Sequence, residues 1–291
     1  MGRVTTRVPV TKIRYADASR PAPRADVVAV EEPLEIRAAR QVLTVTMRTP
    51  GADVDLAHGW LFAEGLITSA AEVRTARYCA GAGAGAGETG PDGIAQNTYN
   101  VLDLDLADRA LARLDGPLGA AQRLGVTTSA CGVCGSASID ALRERLPTAG
   151  FSHVAQQLSV AAVPSMIDAL RASQATFGKT GGTHAAALFH DSGVLRGAAE
   201  DVGRHNAVDK VVGGALVSGA VPPLGGTLVV SSRASYEVVQ KAAMAGIPVV
   251  IAVSAPSSLA VGAATTLGMT LLAFAREDGV NVYAGAHRLT D

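Results

Sequence analysis

The chain has 291 residues, of which 48% are hydrophobic, 18% are charged and only 4% are aromatic. This balance is typical of a globular protein whose core is built from small aliphatic side chains, with enough residues for one large domain or two ordinary ones. The formal net charge of -1 provides no global basic field, so we expect neither a nucleic acid nor a membrane as a partner.

Residues 1–25 contain several Arg and Pro residues and lack the apolar run of a secretory signal. We expect them to form a flexible tail. The most apolar stretches, such as 246–254, are too short to span a bilayer. With only three cysteines in the chain, these features predict a cytoplasmic protein without structural disulfides.

Residues 26–125 are predicted to form a smaller N-terminal α+β domain. Alternating apolar and polar residues indicate strands at 27–36, 41–48 and 97–106. An apolar face over 53–67 indicates a helix whose start is capped by Asp53 or Asp55. The low-complexity segment at 80–93, AGAGAGAGETGPDG, has nothing to bury and is predicted to be a flexible insertion.

Residues 137–291 alternate strand and helix patterns, which predicts a layered α/β domain with a mixed sheet. Helices are predicted at 137–146, 166–175 (capped by Ser165), 201–216, 236–245 and 257–267. Strands are predicted at 183–190, 194–199, 226–231, 247–254, 269–275 and 280–283.

Two cysteines, Cys131 and Cys134, lie two residues apart in TTSACGVCG, within a segment at 126–136 that we predict to be a mobile loop. Their spacing suits a metal ligand pair, a redox disulfide or a sulfur relay. A zinc deaminase also needs an H-x-E motif, which the chain lacks. Flanking glycines argue against two buried structural cysteines, but the spacing alone does not separate a relay from a redox switch.

Four segments combine Gly, Ser or Thr with Lys, Arg or His at predicted strand–helix junctions, where free N–H groups and positive charge suit phosphate binding. They are FGKTGGTHAAALF at 177–189, EDVGRHNAVDK at 200–210, SSRASYEVVQKAAMAG at 231–246 and SAPSSLA at 254–260. Each segment alone is also compatible with ordinary turn chemistry. The physical candidates for a binding pocket are Lys179, His184, Arg204, His205 and Arg233. No P-loop or GxGxxG motif supports ATP or NAD binding.

Seven segments, in the same order, resemble the FdhD family of sulfur carriers required for formate dehydrogenase activity. They are EEPLEI, HGWLFAEGLI, TTSACGVCG, TGGTHAAALF, EDVGRHNAVDKVVG, SSRASYEVVQKAAMAGIPVV and SAPSSLAV. The resemblance runs from about residue 27 to the C-terminus. It implies an α+β protein overall, whose C-terminal α/β domain is similar in fold to cytidine deaminases without their zinc chemistry or a structural metal.

The resemblance further implies that a cysteine desulfurase passes sulfur to Cys131 as a persulfide, and that Cys134 assists transfer or resolves the persulfide. The sulfur would then pass to molybdenum or tungsten in a bis(molybdopterin guanine dinucleotide) cofactor for formate dehydrogenase. A homodimer is also implied. The family's cofactor segment aligns with AFARED, which comprises Ala273, Phe274, Ala275, Arg276, Glu277 and Asp278. There, Phe274 would stack on guanine and Arg276 would pair with phosphate.

Two other hypotheses remain open from the sequence. One is a zinc-dependent, deaminase-like hydrolase that uses the cysteine pair and nearby histidines. The other is a cofactor-binding chaperone in which the cysteines only seal a lid. The third cysteine, Cys79, matches none of the quoted motifs, and we assign it no role.

Overall fold

The computed structural model describes most of the chain as a mixed α+β fold, which confirms the predicted class. The described residues are 3–15, 17–79, 100–116, 150–152, 154–222 and 224–291. The strands are β1 (Thr5–Arg14), β2 (Asp17–Ala29), β3 (Glu32–Ala38), β4 (Gln41–Arg48), β5 (Val73–Cys79), β6 (Val101–Leu106), β7 (Leu158–Ser159), β8 (His184–Phe189), β9 (Leu195–Asp201), β10 (Thr227–Val230), β11 (Val249–Ala252), β12 (Thr270–Ala273), β13 (Asn281–Ala284) and β14 (Leu289–Thr290). The helices are α1 (Asp53–Ala63), α2 (Asp108–Asp115), α3 (Val163–Ala172), α4 (Ala175–Thr180), α5 (Arg204–Val217), α6 (Tyr236–Met244) and α7 (Ser258–Leu267).

Several predictions fall on parts of the chain that the structure does not describe. The insertion at 80–93, the loop at 126–136 and the helix at 137–146 lie outside the described residues. Cys131 and Cys134 lie there too, so their roles stay predictions.

The N-terminal segment, which the sequence predicted to be a flexible tail, contains two strands. Strands β1 and β2 form an antiparallel two-stranded hairpin, in which Thr5 is opposite Ala29. Only part of β1 alternates, with Val8 and Val10 separated by one residue. Proline is tolerated there because each strand of the hairpin has an unpaired side. The single strand predicted over 27–36 is therefore two strands, since β2 ends at Ala29 and β3 begins at Glu32.

A four-stranded sheet in the order β4-β3-β6-β5 forms the N-terminal half. The alternation in β3 buries Leu34, Ile36 and Ala38 on one face. The predicted strand at 41–48 is confirmed as β4. Helix α1 follows, but the predicted aspartate cap is wrong, because the N-cap is Ala52 and it makes no side-chain cap bond.

A six-stranded mixed sheet in the order β13-β12-β11-β10-β8-β9 forms the C-terminal half. Its three central strands, β10, β11 and β12, run parallel, and β8 pairs antiparallel with β10. The strands and helices predicted from 183 onward are confirmed with slightly different ends. The predicted helix at 166–175 begins earlier, at Val163, so Ser165 lies inside α3 and its hydroxyl donates to the Ala162 carbonyl instead of capping.

One edge of this sheet collects the chain segments that the sequence selected. Parallel strands end at the same edge, so residues directly after β10, β11 and β12 lie side by side, with the start of β8 and the end of β9. Helices α5, α6 and α7 begin at this edge with their N-termini. We call it the carboxyl edge.

The two halves share one hydrophobic core that extends from Leu34 in β3 to Ala273 in β12. Helix α1 packs directly on α5. A Cβ atom on Gly59 would lie 1.9 Å from the Asp209 carbonyl oxygen, and one on Gly213 would lie 1.8 Å from the Asp55 carbonyl oxygen. Both glycines are therefore required because the two helix backbones touch.

We predict that Gly213→Ala lowers the free energy of unfolding by about 3 kcal/mol, since the added methyl group meets rigid backbone instead of a movable side chain. Gly262→Ala in α7 is the matched control, because its Cβ would meet nothing within 4 Å. That change should raise the free energy of unfolding by about 0.5–1 kcal/mol. Urea unfolding of both variants measures the difference, and equal midpoints would contradict the proposed helix contact.

Candidate functional site

The carboxyl edge brings four of the predicted pocket residues into one neighbourhood. His184 begins β8 and is paired with Asp201 at the end of β9. Arg204 and His205 are the first two residues of α5, which begins three residues after Asp201. Arg233 follows β10 and lies close enough for its positive charge to contribute to the lowered pKa of His184. Residues far apart in the sequence thus meet at a common sheet edge.

An open groove lies at this edge, between α3, α4 and the ends of the central strands. It encloses about 690 Å³, and we call it the outer groove. Its lining residues are Leu170, Arg171, Gln174, Phe177, Gly178, Gly181, Gly182, Thr183, His184, Ser231 and Val253. The glycines expose backbone, and Phe177 offers an aromatic side chain that is 46% exposed. Such a groove suits a ligand with both phosphate and ring groups.

Glu200 fixes one wall of the outer groove. Its carboxylate accepts hydrogen bonds from the backbone N–H groups of Thr176 and Phe177, at 2.7 and 2.8 Å, and from the Thr183 hydroxyl at 2.8 Å. A carboxylate at the first turn of α4 satisfies amides that have no partner within the helix. The wall is therefore held by a carboxylate that already accepts three hydrogen bonds.

A second, smaller cavity lies beneath the edge, between the N-terminal half and helices α5 and α6. It encloses about 210 Å³, and we call it the inner cavity. Its lining residues are Glu31, Thr44, Thr46, Met47, Trp60, Glu64, His184, Val202, Gly203, Arg204, His205, Asn206, Asp209, Glu237 and Lys241. His184 lines both spaces, so the inner cavity and the outer groove adjoin at this residue.

His205 contacts two polar groups of α6 and its entry turn. Its Nε2 atom lies 3.1 Å from the Ser235 hydroxyl and 3.0 Å from the Glu237 carboxylate oxygen Oε2. Burial, with the positive charges of Arg204 and Lys241, lowers the pKa of His205 to about 3. Burial also raises the pKa of Glu237. Because both partners use the same ring nitrogen, the arrangement is not a Ser-His-acid triad.

Cationic groups around the inner cavity are held in different ways. Lys241 donates to both carboxylate oxygens of Asp209, at 2.7 and 2.9 Å, and both side chains are buried. Burial raises the pKa of Asp209 to about 6. Arg204 Nε is buried and has no hydrogen-bond partner among the described residues. Arg204 thus brings positive charge to the cavity without a fixed partner for that nitrogen.

The AFARED segment forms the turn that follows β12. Ala273 and Ala275 are buried in the core, so their side chains face away from any ligand. Phe274 has a φ of 53°, a left-handed conformation that is unfavourable for an aromatic residue, and its side chain is 39% exposed. This strained backbone turns the ring outward at the carboxyl edge, where the resemblance expects it to act.

The rest of that turn is exposed. The Arg276 amide donates to the Gly279 carbonyl at 2.8 Å, which closes the turn. Glu277 pairs with Arg171, a residue of the outer groove, at 3.1 Å. Asp278 is exposed. The turn therefore adjoins the outer groove through the Glu277–Arg171 pair.

Two predicted pocket residues lie at the margin. Lys179 and Arg233 are exposed and line neither space. Sequence reasoning missed Glu237 and Lys241, which face the inner cavity from α6. The available signal was their spacing of four residues on a helix with no other charged residue, which places both charges on one face.

Two further properties concern metals and membranes. Among the side chains that the structure describes, no group of three or more His, Cys, Asp or Glu residues is arranged to hold a metal ion. In the same part of the chain, no helix combines the length and apolar composition needed to cross a membrane.

Comparison with known proteins assigns the chain to a family. The family model for the FdhD/NarQ family matches residues 29–290, so the chain belongs to this family. It is 49% identical to "Sulfur carrier protein FdhD" of Nocardia farcinica, over 99% of this chain and 96% of that protein. It is 48% identical to the protein of the same name from Mycolicibacterium paratuberculosis, over 99% of both chains.

A solved structure shares the fold. The crystal structure of a candidate formate dehydrogenase accessory protein from Desulfotalea psychrophila matches with a TM-score of 0.72. The match covers 99% of this chain and all of that chain, at 23% sequence identity. The predicted resemblance to the FdhD family is thus confirmed.

We predict that Asp209→Asn lowers the free energy of unfolding by about 3 kcal/mol, because it leaves the buried Lys241 ammonium without its closest counter-charge. Asp108→Asn is the control, since Asp108 is 89% exposed in its pair with Arg74 and should change stability by less than about 1 kcal/mol. Urea unfolding measures both, and equal small effects would show that the buried pair is not formed.

Proposed function

We propose that this chain is a sulfur carrier in the maturation of formate dehydrogenase, working through a persulfide on Cys131. The observation that carries the proposal is the match, over nearly the whole chain, to proteins named as sulfur carriers, in a sequence that holds a glycine-flanked cysteine pair. A thiolate in such a pair is a good nucleophile toward sulfane sulfur. The donor is a cysteine desulfurase, which carries its sulfur as a persulfide.

The sulfur transfer balances when both cysteines take part. In loading, the Cys131 thiol attacks the outer sulfur of the desulfurase persulfide, and the desulfurase cysteine leaves as a thiol. In delivery, Cys131–S–SH, the Cys134 thiol and an oxo-metal group give the Cys131–Cys134 disulfide, a sulfido-metal group and one water. The two cysteine sulfurs supply the two electrons that reduce sulfane sulfur to sulfide, so the metal keeps its oxidation state.

The cargo is the molybdenum or tungsten bis(molybdopterin guanine dinucleotide) cofactor, and the carboxyl edge is its proposed docking place. The pyrophosphates would lie against the glycine-rich turns and the basic groups of His184, Arg204 and Arg233. The guanine rings suit the exposed aromatic side chains of Phe274 and Phe177. A cofactor with two such dinucleotide arms would be presented by a homodimer, and the sulfurated cofactor would pass to formate dehydrogenase.

We predict that incubation with a cysteine desulfurase and free cysteine adds one sulfur mass to the protein, and that reductant removes it. Cys131→Ala should abolish this adduct, since the nucleophile is lost. Cys79→Ala should leave it unchanged, because Cys79 is an exposed thiol outside the pair. Intact-protein mass spectrometry reads all three. An adduct that persists in Cys131→Ala would refute the assignment.

We predict that Phe274→Gly weakens binding of guanosine diphosphate about 5- to 150-fold, the range expected for losing one aromatic–base stack. Stability should change by less than about 1 kcal/mol, since relief of the left-handed backbone cost offsets the lost partial burial of the ring. Calorimetric titration and urea unfolding give the two readouts. Phe274→Tyr should bind like the native chain, and loss of binding in that variant would exclude simple stacking.

A further inference from the structure

Delivery of sulfur to an oxo-metal group places two protons on the departing oxygen, and this requirement rests on the proposed function above. When the persulfide and the second cysteine are both ionised, the balanced step takes up two protons as the oxo ligand leaves as water. Thiolates are the reactive forms of such groups, so the protons must come from elsewhere. A partly buried proton donor close to the docking place would meet the need.

The inner cavity contains such an arrangement. Glu237 Oε2 lies 3.0 Å from His205 Nε2, which is hydrogen-bonding distance, and both side chains line the cavity. His184 also lines the cavity and forms part of the outer groove wall. The side chain of Glu237 is 31% exposed, so solvent can return a proton to it after each transfer.

We propose that Glu237 and His205 form a proton-delivery pair that feeds the carboxyl edge through the inner cavity. The Glu237 carboxyl gives its proton to Nε2 of His205 while Nδ1–H of the same ring releases one into the cavity. The carboxylate and the other neutral imidazole tautomer remain. The released proton passes by way of His184 to the departing oxygen ligand. Solvent then reprotonates Glu237, exchange returns the ring to its Nδ1–H tautomer, and a second passage supplies the second proton.

The charges around the pair suit this role. Burial is the first cause that raises the pKa of Glu237, and Glu64 adds to it, while Lys241 and Arg204 act in the opposite direction. A raised pKa keeps more of the carboxyl protonated near neutral pH. For His205, burial and the charges of Arg204, Lys241 and His184 all lower the pKa, so the ring stays neutral and relays instead of storing a proton.

The inner cavity contains other acidic groups besides Glu237. Asp209 is held by both of its oxygens to Lys241, which removes it from exchange with His205. Glu31 and Glu64 also line the cavity. Glu237 contacts the relay ring directly, with Oε2 3.0 Å from His205 Nε2.

The test is single-turnover sulfur delivery from protein already loaded at Cys131 to the oxo form of the molybdenum cofactor, over a pH series. Mass spectrometry follows loss of the sulfur adduct. The native rate should fall as pH rises through the pKa of Glu237, because the protonated carboxyl is the active form. Glu237→Gln should slow delivery about 100-fold or more and abolish the fall of the rate with rising pH, the descending limb of the pH–rate profile. Loading of sulfur on Cys131 should stay unchanged.

Further variants separate proton delivery from structural damage. His205→Gln should slow sulfur delivery by the same factor as Glu237→Gln. The double variant should be no slower than either single variant, because the two residues act in one step. Glu237→Asp should recover a descending pH limb. Asp108→Asn, a change at an exposed carboxylate, should match the native profile. Urea unfolding confirms that each variant is folded.

The outcomes discriminate between the two proposals. A Glu237→Gln protein that keeps the native rate and pH profile overturns the proton-delivery pair and leaves the sulfur carrier intact. So does a slower variant whose pH limb is unchanged, since that is the signature of a structural effect. Failure of the native protein to load sulfur on Cys131 overturns the sulfur carrier itself, and the pair with it.

Discussion

The backbone contact between α1 and α5 is the constraint on which the rest of the structure depends. Gly59 and Gly213 let the two helices approach until the main chain of each meets the other at Asp209 and Asp55. This closeness places Trp60 on α1 over the start of α5, as one wall of the inner cavity. With larger residues at the glycines, the helices would separate and the cavity would open to solvent.

Buried polar groups then fix the N-terminal sheet against the same helix. The end of β4 is held by Thr49, whose amide donates to Asp201 and whose carbonyl accepts from Lys210 at 2.8 Å. Asn206 adds a bond from its amide nitrogen to the Met47 carbonyl at 2.8 Å. Lys210 and Asp201 pair at 2.7 Å with almost no exposure. Buried pairs of this kind contribute little to net stability. They favour one arrangement of the chain, because any other arrangement leaves a buried charge unpaired.

Periodicity in the sequence predicted most of the C-terminal half because each strand and helix there is buried by its neighbours in the usual pattern. The hairpin of residues 5–29 was not predicted. Its high content of Arg and Pro indicated a flexible segment, and the alternation of apolar and polar residues that marks a strand is weak there. The predicted caps at Asp53 and Ser165 were wrong for two different reasons. Asp53 pairs with the buried Arg48 at 3.0 Å instead, a partner that local sequence cannot reveal. Ser165 lies inside α3 because the helix begins earlier, at Val163, and its hydroxyl donates to the Ala162 carbonyl.

The candidate site, like the fold, was predicted only in part from the sequence. Motifs located His184, Arg204 and His205 because Gly, Ser and Thr mark strand–helix junctions, and the parallel sheet then gathers those junctions at one edge. Nothing local indicated that Glu237 would contact His205, because that contact depends on how α6 lies beside α5.

At the carboxyl edge, charged and uncharged polar groups lie at different depths. Arg233 and Lys179 are exposed, where long cationic side chains can meet the phosphates of a large ligand and remain hydrated. The carboxyls and neutral histidines lie beneath, where burial shifts their pKa values toward uncharged forms. Under the two proposals, this order would suit a ligand that is both highly anionic and in need of protons, because attraction would act at the surface and proton transfer beneath it. His184 lines both the outer groove and the inner cavity, so it is the described residue at which the two proposed functions would meet.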